Sequence, residues 1–286
     1  MRKIIKIIAF IAISISAVSC SSDSDGGGDS QATNTFSLNY DGANINITEM
    51  VAQKSENSLV VYGTGSDGTG IQFEFNKFGN LGAVSTYNID DFDFVDSYNY
   101  RDYSSNYFTF TLISINESTK RVKVSYSGLL YENEEDLSSN SVEVSGSFDL
   151  TYIENTPLIA GLETSCKING NDWYSTKFWD NGWFDVDRKC ISDDDVMLAF
   201  KFEDQYIEAG TYNFTPASQN KVVYYKFNTT TKTYDEYDCT GSLIVTANTE
   251  GINFNIIEGT FSLTATNPSS PSQQISITNG RFKSNF

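Results

Sequence analysis

From Phe36 onward, apolar side chains recur at every second residue, and no stretch past residue 20 repeats them at helical spacing over 11 or more residues. A chain patterned this way folds as strands with one buried and one open face. Phe36-Ser37-Leu38-Asn39-Tyr40 alternates, Asp41-Gly42 is a hairpin dipeptide, and Ile45 and Ile47 resume the pattern. Further strands read at 59–62, 71–75, 82–87, 107–115, 122–126 and 142–150. Tyr (17) and Phe (20) far outnumber Met (3) and Pro (4), as in an aromatic-cored β protein. The expected class is all-β.

Pro157 and Gly161 interrupt the alternation and mark residues 154–162 as a linker. The second half of the chain repeats the first. Asp41-Gly42 returns as Asn169-Gly170, a shift of 128, and Ser85-Thr86-Tyr87-Asn88 returns as Gly210-Thr211-Tyr212-Asn213, a shift of 125. Gly128 pairs with Gly259 and Gly146-Ser147-Phe148 with Gly280-Arg281-Phe282, shifts of 131 and 134. Another register sets residues 144–151 against 257–264, but only the first keeps the strand number equal in both halves. The expectation is two tandem antiparallel β-sandwich or flattened barrel domains, 35–153 and 163–286, of about 7–9 strands each. Asn169-Gly170, Gly210-Thr211-Tyr212, Gly259-Thr260-Phe261 and Asn279-Gly280-Arg281-Phe282 together resemble a β-rich domain of unknown function found in Bacteroidota lipoproteins. The first half matches that pattern more loosely. The resemblance implies a fold and an address and carries no activity.

The N-terminus supports the same address. Arg2, Lys3 and Lys6 precede an apolar run of 12 residues, Ile7 to Val18, too short to span a bilayer and suited to a signal peptide over 1–19. Ala17-Val18-Ser19-Cys20 resembles the lipobox of bacterial lipoproteins, with Ala17 where Leu is usual. This implies cleavage before Cys20 and lipidation of its thiol. Residues 20–34 begin Cys-Ser-Ser-Asp-Ser-Asp-Gly-Gly-Gly and read as a flexible acidic tether. They also resemble a surface-export signal, so the expected location is the outer membrane, displayed outward, with a periplasm-facing anchor as the alternative.

Removing 1–19 removes three basic residues and leaves 16 basic against 37 acidic, a formal net of −21. Such a chain repels phosphate backbones and anionic head groups, which argues against nucleic acid and makes the lipid on Cys20 the membrane contact. His is absent, which removes Ser-His-Asp and Cys-His catalysis and His-based metal sites. No cofactor is expected.

Cys166, Cys190 and Cys239 remain after Cys20. In an oxidising compartment two of the three can pair; Cys190–Cys239 is the expected bridge, the other two pairings stay open, and Cys166 at a core-type position can equally be a small buried hydrophobe. All three Trp fall between 173 and 183. Trp173, Trp179 and Trp183, with Asp180 and Asn181 in a turn between them, have the makings of a sugar-binding patch: rings stack on sugar faces while amide and carboxylate bind hydroxyls. The opposing expectation is that Trp173, Phe178 and Trp183 are core. The acidic sets Asp90, Asp91, Asp93, Asp96 and Asp193, Asp194, Asp195 are either calcium-ligand candidates or solvated loops. Together these residues suggest a non-catalytic envelope module that binds a glycan or another envelope protein. A structural spacer and a carboxylate-dependent hydrolase are the alternatives.

Overall fold

A computed structural model of the chain describes residues 33–89, 96–179, 187–204, 206–251 and 255–286, with the backbone alone for 177–179. The expected signal peptide, Cys20 and most of the tether lie outside the described residues. So do Asp90, Asp91, Asp93, Asp180, Asn181 and Trp183.

The first half contains β1 (Thr35–Tyr40), β2 (Ala43–Ile45), β3 (Ile47–Ser55), β4 (Ser58–Gly65), β5 (Thr69–Asn76), β6 (Leu81–Asn88), β7 (Ser97–Tyr98), β8 (Phe108–Asn116), β9 (Arg121–Tyr131), β10 (Ser141–Thr151) and β11 (Ile153–Glu154). They form one sheet in the order β11-β3-β4-β5-β6-β7-β9-β10-β1-β2, with β8 also on β9. Ala52 from β3 and Leu38 from β1 lie far apart in that order yet share one buried cluster. The sheet therefore curls around its own core, with Phe73 packed between Tyr126 and Phe148 at 4.6 and 5.5 Å. The first half is thus a curled half-barrel, the flattened-barrel form of the expected fold.

The second half contains β12 (Glu163–Ile168), β13 (Asn171–Tyr174), β14 (Lys177–Trp179), β15 (Asp187–Ile191), β16 (Val196–Lys201), β17 (Gly210–Phe214), β18 (Lys221–Asn228), β19 (Thr233–Glu236), β20 (Asp238–Glu250), β21 (Asn255–Asn267) and β22 (Ser270–Asn285). Here there are two sheets, β13-β12-β22-β21-β20-β17 and β14-β15-β16-β18-β19. A core including Phe200, Phe261 and Phe282 lies between them, with Phe200 against Phe282 at 4.4 Å.

The order β8-β9-β10-β1-β2 of the first half recurs as β20-β21-β22-β12-β13 in the second. Both hairpins that open a half turn on two residues with positive φ, Asp41 and Gly42 (48° and 79°) and Asn169 and Gly170 (49° and 88°), which is the type I′ geometry that Asn-Gly and Asp-Gly favour. Within β9 and β21 the register differs from the expected one. Gly259 lies opposite Phe282, whereas the residue opposite Phe148 is Val124 and Gly128 lies further along. The true counterparts are Tyr126 and Phe261, which lie opposite Gly146 and Gly280. These glycines do not kink the strand through an unusual φ. A Cβ on Gly280 would meet the Phe261 ring at 2.6 Å, and one on Gly146 would meet the Ser37 carbonyl and, at 2.8 Å, the Tyr126 hydroxyl. An aromatic side chain therefore covers a glycine on the next strand in both halves.

The two cores meet along a polar and aromatic junction. Asp193 accepts from the Asn80 side-chain amide (3.0 Å) and the Leu81 N–H (3.1 Å), and the Ser105 N–H donates to its carbonyl at 2.9 Å. Phe78 stacks on Tyr174 at 3.6 Å and 8°. Tyr100, Tyr131 and Phe227 form a third buried cluster drawn from both halves. Asn57 hydrogen-bonds Glu163, and Lys232 Nζ donates to the Tyr107 hydroxyl at 2.7 Å.

Candidate functional site

Strand alternation decides which aromatic of the Trp-rich stretch is core. On β13, Trp173 points inward and is 4% exposed, and its indole N–H donates to Asp194 at 3.2 Å. Trp173 is therefore core, which corrects its expected place in a ligand patch. The next residue, Tyr174, takes the opposite face of the same sheet, where Phe78 covers part of it. The side chain of Trp179 lies outside the described residues along with Asp180, Asn181 and Trp183.

Tyr174 begins a row that crosses the whole six-stranded sheet on its outer face. The paired positions run Tyr174, Ser165, Arg281, Thr260, Ile244, Thr211. Around this row lie two adjoining depressions of about 660 and 600 Å³. Both are lined by Ser165, Tyr174, Thr260 and Arg281, so Arg281 stands where they meet. The wider of the two also takes in Ser242 and Ser262, and the other reaches Phe78 and the junction.

The charges in this groove are mostly spent. Lys167 pairs with Asp172 at 2.7 Å, Lys283 with Glu258 at 3.5 Å, and Glu163 accepts from Asn57. Glu56 accepts the Gly161 N–H at 2.8 Å. Arg281 is exposed and makes no hydrogen bond or ion pair with any described residue. The hydroxyls of Ser165, Ser242, Thr260 and Ser262 are likewise free of partners among the described residues. A free guanidinium thus sits among unspent hydroxyls, with an aromatic ring two strands away.

Arg281 belongs to the Gly-x-Phe repeat, but its role is visible only through alternation. Phe282 points into the core at 3% exposure, so its neighbour must point out. The middle residue of that triplet is Ser147 in the first half and Arg281 in the second, and this difference is the signal in the sequence that marks the site.

The acidic triplet does something other than expected. Asp193, Asp194 and Asp195 are half-buried and face three different partners, so they are neither a solvated loop nor a convergent ligand set. Asp193 holds the first half, Asp194 accepts from Trp173 and from the Val196 N–H (3.1 Å), and Asp195 pairs with Lys226 at 3.2 Å. Burial pushes the Asp194 carboxyl up to about 6, against the lowering effect of its hydrogen bonds. Burial raises Asp193 too. A carboxyl raised to that range can serve as a general acid, but Asp194 is tied to an indole and a backbone amide beneath the sheet, and its shift follows from structural burial. Among the described residues no group of three or more acidic or Cys side chains could hold a metal ion.

The expected Cys190–Cys239 bridge is absent, and all three cysteines are free and buried. Cys190 lies on β15 and its thiol meets the Thr164 hydroxyl at 3.4 Å. Cys239 lies on β20 in the other sheet, accepting the Tyr224 N–H at 3.2 Å and donating to the Tyr237 carbonyl at 3.3 Å. Each thiol behaves as a small core residue with its own surroundings. Burial pushes Cys166 and Cys190 up to about 12 and Cys239 to about 11, far from thiolate reactivity.

No protein-family model matches the chain, no characterised protein matches its sequence, and no solved structure matches its fold.

Proposed function

We propose that this chain is a lipid-anchored envelope protein whose folded part is a non-catalytic glycan-binding module. The ligand surface is the outer face of the sheet β13-β12-β22-β21-β20-β17. The observation that carries this reading is the groove in which Tyr174, Ser165, Arg281 and Thr260 lie on one row, with the unspent hydroxyls of Ser242 and Ser262 beside it. A sugar presents a C–H face to an aromatic ring and hydroxyls to polar side chains, and this row offers both. Cys20 would supply the anchor, since a surface of net −21 leaves a membrane contact to the lipid. Outer-surface display is the proposed orientation.

The alternative of a spacer is favoured by one observation, the junction that clasps the halves through Asp193 and the Phe78–Tyr174 stack. A clasped junction suits a spacer, but it leaves the free guanidinium and hydroxyls unexplained.

Glycan-array screening of the full chain in detergent tests the reading, repeated with Tyr174→Ala and Trp179→Ala. Binding to a defined glycan class, weakened tenfold or more by Tyr174→Ala, is the expected result. Binding that depends on Trp179 and is indifferent to Tyr174 would move the site to the Trp-rich hairpin. No glycan bound at all would reject the module reading in favour of the spacer. Mass spectrometry of the mature N-terminus tests the anchor, with an unmodified Cys20 as the result against it.

A further inference from the structure

We infer that Arg281 reads a carboxylate, and that the ligand of this face is an acidic polysaccharide carrying uronate residues. The inference rests on the glycan-binding reading and adds the charge of the ligand to it.

A guanidinium needs partners for a planar fork of donors, and a carboxylate matches that fork in two parallel hydrogen bonds. In a chain with about two acidic residues for every basic one, a free Arg in a groove is unusual, because acids are abundant enough to pair with it. Here the acids that line the groove beside it are otherwise engaged: Asp172 with Lys167, Glu258 with Lys283, Glu163 with Asn57. The cross-strand neighbours of Arg281 are Ser165 and Thr260, which are neutral. The fork is left without a partner among the described residues at the point where the two depressions meet.

The surroundings select the kind of anion. Neighbouring strands lie about 4.8 Å apart, so Tyr174 and Arg281, two strands apart, are about 10 Å from each other. This is the reach of a disaccharide, with one ring over Tyr174 and the carboxylate of the next at Arg281. The four free hydroxyls can take the ring hydroxyls between and beyond them. A chain with several charges per repeat, such as duplex nucleic acid or a heavily sulfated glycan, would meet a strongly negative protein around this guanidinium. A glycan with one carboxylate per sugar or per second sugar places a charge at Arg281 and asks little more of the surface. An acidic peptide would also reach Arg281, but it would leave the unspent hydroxyls and the ring without their natural counterparts.

The test is isothermal titration of the full chain in detergent with polygalacturonate oligosaccharides and with the same oligosaccharides fully methyl-esterified. The acid form is expected to bind at least tenfold more tightly than the ester. Arg281→Ser should abolish that preference, so that acid and ester bind equally. Arg281→Lys should retain part of it, because a point charge replaces the fork. Tyr174→Ala should weaken both forms alike. Equal binding of acid and ester, or a preference that survives Arg281→Ser, overturns the inference while leaving the glycan reading intact. So does binding of neither form alongside binding of a neutral glycan on an array. Binding of neither form, with no glycan bound on an array, overturns both. Binding of a glutamate-rich peptide with the same Arg281 dependence, and of no uronate, overturns the polysaccharide assignment. Circular dichroism checks that the exposed Arg281 substitutions leave the fold unchanged and that Tyr174→Ala, which also loses the Phe78 stack, remains folded.

Discussion

On the first half the outer face carries the row Thr111, Ser125, Ser147, Ser37, and on the second half the equivalent row is Ile244, Thr260, Arg281, Ser165. The two rows sit at matching places in a shared strand order, each anchored by a covered glycine and an inward Phe one residue to either side of the central position. Their chemistry differs. In the first half Ser147 and Ser37 spend their hydroxyls on each other, at 3.2 Å, and the nearby charges Arg121, Lys123 and Asp149 form one paired group. In the second half the central residue is a guanidinium without a partner among the described residues, and Tyr174 extends the row by one more strand. On the first face the charges are paired and only the hydroxyls of Thr111 and Ser125 lack partners among the described residues, whereas the second face adds a free guanidinium. One scaffold can thus carry a face whose charges are all paired or one that offers an unpaired charge, and the difference lies in side chains that the core never sees.

The largest test of this comparison concerns the cores beneath the faces. Phe148→Ala and Phe282→Ala remove equivalent buried rings, and each should cost about 3–5 kcal/mol. Because the junction joins the halves, calorimetry should show a single transition lowered by either variant. Two separate transitions, each responding to one variant only, would break the picture of clasped halves.

A smaller effect distinguishes the halves by pH. Asp194 has no counterpart in the first half. Its folded carboxyl is pushed up to about 6, against about 3.9 in an unfolded chain. Between those values the folded state holds a proton that the unfolded state has lost. This contribution to stability is therefore greatest below about pH 4 and falls as pH rises to about 6, by up to roughly 3 kcal/mol. Asp194→Asn keeps an oxygen for the Trp173 indole and removes the titration. Urea midpoints from pH 4.5 to 7.5 should show the variant gaining on the parent as pH rises. Parallel curves would reject a strained carboxylate there.

The glycines offer a finer contrast. Gly146→Ala drives a methyl into the Ser37 backbone carbonyl, while Gly280→Ala drives one into the Phe261 side chain. Both should destabilise, by about 1–3 kcal/mol, with Gly146→Ala the costlier because backbone yields less than a ring. The reverse order, read from thermal midpoints, would show that the first half's curled sheet gives more easily than the second half's packed pair. The smallest effect is expected from the face itself. Arg281→Ser and Ser147→Arg should each change stability by no more than about 0.5 kcal/mol. A larger loss for Arg281→Ser would mean that the guanidinium serves the fold.

Much of this architecture is legible in the residues. Period two specifies the all-β class, and Asp41-Gly42 and Asn169-Gly170 specify both opening hairpins. The repeated Gly-x-Phe triplets place β10 and β22 in matching roles. The illegible part is long-range. Nothing local distinguishes a sheet that curls on itself from two that face each other, since both need the same alternation. Each half also has 11 strands among the described residues, more than the expected 7–9, because very short strands such as β7 and β11 leave almost no periodic trace. Cys190 and Cys239 fail as a pair because sequence shows that thiols exist and not which sheet each one enters. Trp173, expected in a ligand patch, turns inward while Tyr174 takes the outer face for one reason: a tryptophan draws attention by its size, while facing is set by parity along the strand.

Parity on β22 has an evolutionary consequence. Residues 280 and 282 are held by the core and residue 281 is not, so selection acts on them separately. A lineage carrying this scaffold can exchange position 281 freely, trying one surface chemistry after another, while its neighbours stay fixed. Variation among relatives should then concentrate on alternate positions of this one strand, where surface chemistry can change without disturbing the core.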